Sequence, residues 1–136
     1  LLMSIGAIGA MDRLIEISVN YAKERQAFGR PIGSFQAIRH KIAMMATRTE
    51  ASRAFAYDTL RRFHEGEVVV REVSMSKLDS QRALVDIADE AIQIHGGYGY
   101  MREYEVERAL RDARLGPIGG GTDEVMMEII GKTYGL

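Results

Sequence analysis

Residues 84–100, LVDIADEAIQIHGGYGY, decide the fold of this chain. Their apolar positions recur at the three- and four-residue spacing of one helix face: Leu84, Ile87, Ala88 and Ala91. The pattern stops near His95, and glycines such as those that follow are typical of the residues just past a helix end. The stretch therefore predicts a long amphipathic helix with one buried face.

The same spacing recurs upstream in two further stretches. The first runs from Leu1 to about Glu24 and the second, with Ser34 as its expected N-cap, to about His64. Their predicted buried positions are Ile5, Ile8, Met11 and Ile15, then Phe35, Ile38, Ile42 and Met45. The second stretch carries more apolar positions than one inward stripe requires, which indicates a second buried face. Residues 26–33 are expected to form a loop, and residues 68–70 could form a short strand.

Downstream, a shorter helix is expected from about Glu103 to Arg114, followed by a second glycine-rich loop. Thr122 is the expected cap of a final helix, and the acidic residues after it suit the positive end of the helix dipole. No segment alternates with period two. The sequence thus predicts one all-α domain over residues 1–136, an antiparallel up-down four-helix bundle with an extra short C-terminal helix.

Composition excludes several classes of protein. The chain is 46% hydrophobic and 27% charged with a net charge of -1, and it has no basic stripe of the kind that binds nucleic acid. It has no cysteine, and its three histidines are too widely spaced to suggest a metal site. The apolar run of residues 1–11 is too short to span a membrane. Because no N-cap residue precedes it, we expect a piece of a longer polypeptide.

Three non-helical segments join glycines to polar or aromatic residues: residues 25–36, 93–100 and 116–124. Glycine lets the backbone approach a ligand, and helix N-termini offer free N–H donors. The forked guanidinium of Arg25 suits phosphate, and Gln93 can both donate to and accept from a flavin or nucleotide edge. The alternative is that these segments are only helix caps and turns, with Arg25 and Gln93 solvated at helix ends.

Taken together, the segments resemble the signatures of the acyl-CoA dehydrogenase C-terminal domain. Residues 21–29, YAKERQAFG, and 32–36, IGSFQ, resemble the first signature, and residues 93–100 resemble the second. Residues 111–114, RDAR, and 118–124, IGGGTDE, resemble the closing pair. Order and spacing match along nearly the whole chain.

The resemblance implies the last domain of an enzyme that also has an N-terminal helical domain and a middle β domain. Such enzymes hold FAD and oxidise an acyl-CoA thioester to the trans-2-enoyl-CoA. A glutamate removes the α proton, and an electron-transfer flavoprotein reoxidises the flavin. The bundle assembles as a homodimer or homotetramer, in the cytoplasm of bacteria or the mitochondrial matrix of eukaryotes.

The resemblance also assigns contacts residue by residue. Expected cofactor contacts across a subunit interface are Arg25, Phe28, Gln36, Gln93, Ile94, His95, Gly96 and Gly97. Expected contacts to the cofactor of the same subunit are Thr122, Asp123 and Glu124. The backbone at Gly120 and Gly121 is expected to border the acyl-CoA thioester.

One departure concerns the catalytic base. Many family members carry Tyr-Glu-Gly-Thr in the closing loop, where this chain has Gly119, Gly120, Gly121 and Thr122. Gly120 stands at the position of that Glu and cannot accept a proton. The branch that includes isovaleryl-CoA and long-chain enzymes carries its Glu on the first helix instead, about two residues before Leu1, so no catalytic residue is expected within the chain. A non-catalytic oligomerisation module and a flavin oxidase of the same fold remain the alternatives.

Overall fold

Five α-helices make up most of the molecule, and the computed structural model describes all residues, 1–136. Three helices are long: α1 (Leu2–Glu24), α2 (Gln36–His64) and α3 (Val70–His95). Two are short: α4 (Glu105–Ala113) and α5 (Asp123–Lys132). The all-α prediction is confirmed, and the helical part of the chain consists of these three long and two short helices.

The third helix lies at the centre, because α3 packs against all four other helices. Side-chain links set the directions of the long helices. Lys41 pairs with Glu90 and Ser52 with Asp79, so α2 and α3 run antiparallel. Ser4 of α1 accepts a hydrogen bond from Ser76 of α3 near the starts of both helices. The first three helices therefore run up, down and up.

The core lies where α3 meets α1. The four apolar positions predicted on α3 are all buried. On α1, Ile8 and Met11 are buried, whereas Ile5 and Ile15 are only partly covered. On α2 only Met45 of the predicted stripe is fully buried. The second helix therefore packs less completely than the other two long helices within one copy of the chain.

Of the two predicted N-caps, Thr122 and Ser34, only the first is observed. Thr122 caps α5 as expected, since its Oγ1 accepts a hydrogen bond from the Val125 N–H at 3.3 Å. The prediction that Ser34 caps α2 is wrong. Ser34 ends a short 3-10 turn, and its hydroxyl donates back to the carbonyl of Pro31 at 2.7 Å. The second helix begins two residues later, with Phe35 in the cap position and no side-chain hydrogen bond.

Local pairing also refines the predicted loop between α1 and α2. Residues 26–31 form a two-stranded antiparallel ribbon, β1 (Gln26–Ala27) and β2 (Arg30–Pro31), that turns at Phe28 and Gly29 with φ of 53° and 78°. The valines of residues 68–70 form no strand, because α3 begins at Val70. None of the helices has both the length and the apolar character that crossing a bilayer requires.

Candidate functional site

One cleft forms where the C-terminal end of α3 meets the C-terminal end of α1, and we call it the end cleft. It is lined by five of the predicted residues together with four others: Arg25, Ile94, His95, Gly96, Gly97, Tyr21, Ile32, Tyr98 and Met101. These residues come from segments about 70 positions apart in the sequence. The first two predicted segments therefore share one site.

The cation of the end cleft is Arg25, which is exposed just past α1. Its guanidinium carbon lies 5.2 Å from the ring centroid of Tyr98, a cation–π arrangement. Arg25 forms no salt bridge within the chain, although the arginines at positions 13, 53, 61, 62 and 111 all pair with carboxylates. Its forked donor set is thus available to an anionic ligand.

The wall of the end cleft is built on His95, the last residue of α3. Its ring stacks on Tyr21 with centroids 4.2 Å apart, and its Nδ1 lies 2.8 Å from the carbonyl of Ala91. Because a carbonyl can only accept, the proton sits on Nδ1. Burial lowers the pKa of His95 below its usual value, so the ring is neutral at neutral pH. His95 therefore supplies shape to the cleft, and no charge.

The glycines beside His95 serve different purposes. Gly96 ends α3 with φ of 59°, and a side chain at Gly96 or Gly97 would enter open space. At Gly99, by contrast, an added Cβ would stand 2.6 Å from the carbonyl oxygen of Ile92. The first two glycines leave backbone open to a ligand, whereas the third allows close internal packing.

Three predicted contacts lie outside the lining of the end cleft. Phe28 is 95% exposed at the turn of the ribbon, and its ring meets Phe35 edge-on at 6.1 Å. Gln36 is exposed at the start of α2, and Gln93 is exposed in the last turn of α3. A large apolar ring held in solvent by a left-handed backbone is available to a second molecule.

The third predicted segment lies elsewhere, and we call residues 117–122 the closing loop. Lys77 of α3 donates to the carbonyl of Gly121 at 2.6 Å, and the Asp123 N–H donates to the carbonyl of Pro117 at 3.0 Å. Arg82 of α3 donates to Asp123 Oδ2 at 2.5 Å. These bonds hold the loop and the start of α5 against α3.

The closing loop keeps free backbone donors. The N–H groups of Gly120, Gly121 and Thr122 donate no hydrogen bond within the chain, and Gly120 is exposed. Both glycines have positive φ, 62° and 94°, which turns their peptide groups in a way that favours glycine. Three neighbouring amides at the start of a helix suit a carbonyl or phosphate oxygen.

The acidic residues of this segment are placed differently from each other. The carboxylate of Asp123 is 98% covered (2% exposed) and faces Arg82 and Lys77, so a ligand contact from Asp123 is left to its backbone. Glu124 is exposed, and hydrogen bonds from its own amide and from Thr122 lower the pKa of its carboxyl. Glu124 is thus an anion at neutral pH, which makes this helix start less receptive to a phosphate.

Apart from Phe28, Gln36 and Gln93, the predicted residues therefore form two sites, at opposite parts of α3. Lys77 touches the closing loop and His95 closes the end cleft, and the 18 helical steps from Lys77 to His95 span about 27 Å. Sequence reasoning missed three α3 residues that hold the closing loop, the start of α5 or the start of α1: Lys77, Gln81 and Arg82. A signal was present for the first two, because positions 77 and 81 continue the buried stripe of positions 84, 88 and 91 with polar residues.

The start of α1 completes the second site. An added Cβ at Gly120 would collide with Met3 Sδ, so the first turn of α1 lies directly on the closing loop. Gln81 of α3 donates to the carbonyl of Met3 at 2.8 Å. Two segments at opposite ends of the chain therefore meet over one face of α3.

Comparisons with known proteins agree on one family. The model of the acyl-CoA dehydrogenase C-terminal domain matches residues 1–135. An acyl-CoA dehydrogenase of Bacillus subtilis is 45% identical over 126 residues, which are 93% of this chain and 33% of that protein. A mitochondrial isovaleryl-CoA dehydrogenase of Oryza sativa subsp. japonica is 40% identical over 132 residues, 97% of this chain and 32% of that protein.

Solved structures give the same result. The crystal structure of a probable acyl-CoA dehydrogenase from Mycobacterium abscessus has a TM-score of 0.94 and 42% identity, covering 97% of this chain and 35% of that one. The chain spans about a third of the length of the relatives it matches. The helical fold, the two glycine-rich sites on α3 and these matches together show that the chain belongs to the acyl-CoA dehydrogenase family, as its C-terminal domain.

Proposed function

We propose that this domain serves an FAD-dependent dehydrogenase that oxidises an acyl-CoA thioester to the trans-2-enoyl-CoA, and that it supplies contacts to flavin, thioester and neighbouring subunits. The observation that carries the proposal is the closing loop, whose amides at Gly120, Gly121 and Thr122 donate no hydrogen bond within the chain although hydrogen bonds to α3 hold the loop. Fixed donors of this kind stabilise the charge that develops on a thioester oxygen when the α proton leaves.

The residues present fit a flavin dinucleotide. Arg25 offers an unpaired cation to a pyrophosphate, the backbone at Gly96 and Gly97 is open, and the Thr122 amide just before α5 donates no hydrogen bond. One similar solved structure, with a TM-score of 0.92 and 33% identity, is an FAD complex of PigA. The bound flavin supplies the hydride acceptor.

The separation of the two sites supports assembly across subunits. The end cleft and the closing loop lie about 27 Å apart along α3, and we propose that they contact the flavins of two different subunits. The exposed apolar residues of α2, which include Met44 and Tyr57, support a homodimer or homotetramer built on this helix.

The proton acceptor in this proposal is a Glu on an upstream continuation of α1. Met3 lies on the closing loop, and the position four residues earlier falls on the same helix face, one turn away. That position stands two residues before Leu1. Gly120 adds no carboxylate to the loop, and a second carboxylate there would raise the pKa of one of the pair.

The acyl-CoA substrate and the electron-transfer flavoprotein partner belong to the same proposal. Several relatives bear the name acyl-CoA dehydrogenase. A subunit of a caffeyl-CoA reductase–Etf complex from Acetobacterium woodii is 40% identical over 124 residues. Relatives from bacteria and from plant mitochondria support a location in the bacterial cytoplasm or the mitochondrial matrix.

A flavin oxidase is the second candidate. A solved structure named as a prolyl acyl carrier protein oxidase, AnaB, has a TM-score of 0.91 and 38% identity with this chain. That name supports an oxidase as the second candidate, with a carrier protein in place of coenzyme A. A non-catalytic helical module, the third reading, predicts a parent protein without flavin.

The test uses the full-length parent protein. We expect it to purify with bound FAD and to lose its flavin absorbance when acyl-CoA is added without oxygen. Rapid recovery of colour in air, with peroxide formed, would favour the oxidase. A parent protein that binds no FAD would contradict both enzyme proposals and favour the oligomerisation module.

The base assignment has its own test. Mutation of the upstream Glu to Gln is expected to remove flavin reduction by acyl-CoA while FAD stays bound. Near wild-type reduction in that variant would refute the assignment. The companion Gly120→Glu, made in the absence of the upstream Glu, tests whether both positions reach the same proton. It requires Met3 to move, because its thioether fills the space beside Gly120.

A further inference from the structure

Two polar residues of α3 join the segments that the proposed function assigns to the substrate. Lys77 Nζ donates to the carbonyl of Gly121 at 2.6 Å, and Gln81 Nε2 donates to the carbonyl of Met3 at 2.8 Å. Each residue is 5% exposed. Because they stand four residues apart, they share one face of α3, and a single rigid helix holds both segments.

Packing alone does not account for Lys77. A buried ammonium is unfavourable compared with an apolar side chain of the same length, so helix packing does not call for one here. Its Nζ lies 3.9 Å from Asp123 Oδ1, a buried oxygen that accepts no hydrogen bond, and Arg82 donates to the other oxygen of Asp123 at 2.5 Å. The one hydrogen bond that Lys77 makes is the one to the closing loop.

Gln81 lies between three segments: its own helix α3, the first turn of α1 and the residue before the closing loop. Its amide holds the first turn of α1, and its side chain lies against Gly116, where any added Cβ would overlap Gln81 Oε1. Gly116, the residue before the closing loop, therefore contacts the same Gln81 side chain that holds α1. The positions of the loop and of α1 are set by neighbouring atoms of α3.

We propose that Lys77 and Gln81 are positioning residues, which keep the closing loop and the start of α1 in register so that a thioester at Gly120 and Gly121 faces the proton acceptor upstream of Met3. The inference rests on the proposed function. When the base and the thioester contacts share one loop, local backbone sets their distance. Here they lie on segments more than 100 residues apart, and the side-chain hydrogen bonds that hold both segments come from α3. A misplacement of about 1 Å is enough to slow such a reaction about 100-fold.

The experiment compares Lys77→Met and Gln81→Met in the full-length, flavin-loaded protein. Both substitutions keep the length of the side chain and remove its donor. We expect the rate constant of flavin reduction at saturating acyl-CoA to fall about 10- to 100-fold in each. Bound flavin should remain unchanged. For Gln81→Met, which leaves the thioester amides in place, the acyl-CoA dissociation constant should stay the same.

Amide hydrogen exchange supplies a second readout that needs no turnover. Lys77→Met should speed exchange in peptides covering residues 117–123, and Gln81→Met in peptides covering the first turn of α1. Residues 84–95 should stay protected in both. Lys132→Met is the matched control, since this lysine is exposed on α5 and pairs only with Glu128. It should change neither rate nor exchange.

The outcomes separate the two claims. Wild-type rates in both variants would overturn the inference and leave the proposed function standing. If acyl-CoA does not reduce the flavin of the wild-type protein, the proposed function is overturned. In that case, unchanged hydrogen exchange in residues 117–123 of Lys77→Met would also overturn the positioning role. If Lys77→Met loses its flavin, Lys77→Gln, which retains a neutral donor, replaces it with the same expectations in weaker form.

Discussion

Replacing Gly99 by Ala tests how the second glycine segment is built. An added Cβ would stand 2.6 Å from the carbonyl oxygen of Ile92 and 2.9 Å from its Cα. Both are backbone atoms of α3, so no change of rotamer can relieve the overlap. Overpacking of this kind destabilises a domain by about 1–3 kcal/mol. With the unfolding entropy typical of a domain of this length, the melting temperature should fall by about 3–10 °C.

The matched control for this substitution is Gly97→Ala. A Cβ there meets nothing within 4 Å, and the backbone at Gly97 is not left-handed. Its effect on the free energy of unfolding should stay within about 0.5 kcal/mol. Thermal unfolding of the 136-residue chain by far-UV circular dichroism measures both, at one protein concentration because association alters the melting temperature. Equal melting temperatures for the two variants would refute the steric reasoning.

Three further predictions concern the core, a titrating group and assembly. Met11→Ala removes a fully buried side chain at the α1–α3 contact and should destabilise the chain by about 2–5 kcal/mol in urea unfolding, and a loss below about 1 kcal/mol would contradict this packing. Because burial lowers the pKa of His95, the unfolded state binds more protons near pH 6.5, so stability should fall as pH drops below about 6.5 and His95→Gln should flatten that slope. The isolated chain should self-associate in light scattering and purify without stoichiometric flavin, and Met44→Lys should weaken the association. A yellow monomer of the unsubstituted chain at high concentration would contradict the first two expectations, and unchanged association of Met44→Lys would contradict the third.

Local patterns were sufficient for the helices and for one of the caps. The apolar spacing that ends near His95 predicted α3 because a helix face is set by residues three and four apart. Thr122 was predicted as a cap because its acceptor role depends on the next three residues alone. The same reasoning gave a wrong prediction for Ser34, because the ribbon before it places the carbonyl of Pro31 within hydrogen-bond distance of its hydroxyl. A residue predicted as a helix cap does not form its capping hydrogen bond when its side chain bonds instead to a nearby carbonyl. Here that carbonyl is positioned by strand pairing, which the cap motif does not include.

The sequence by itself determined which residues are helical, which faces are apolar and which segments carry chemistry, because these depend on short-range periodicity and glycine conformation. Only the tertiary structure decided how those segments are grouped. It divided most of the candidate residues between two sites on α3 and turned the carboxylate of Asp123 inward. It also revealed Lys77 and Gln81, whose partners lie 44 and 78 residues away in the chain. The helical period specifies the face on which a side chain lies, and packing between distant segments specifies the partner it meets there.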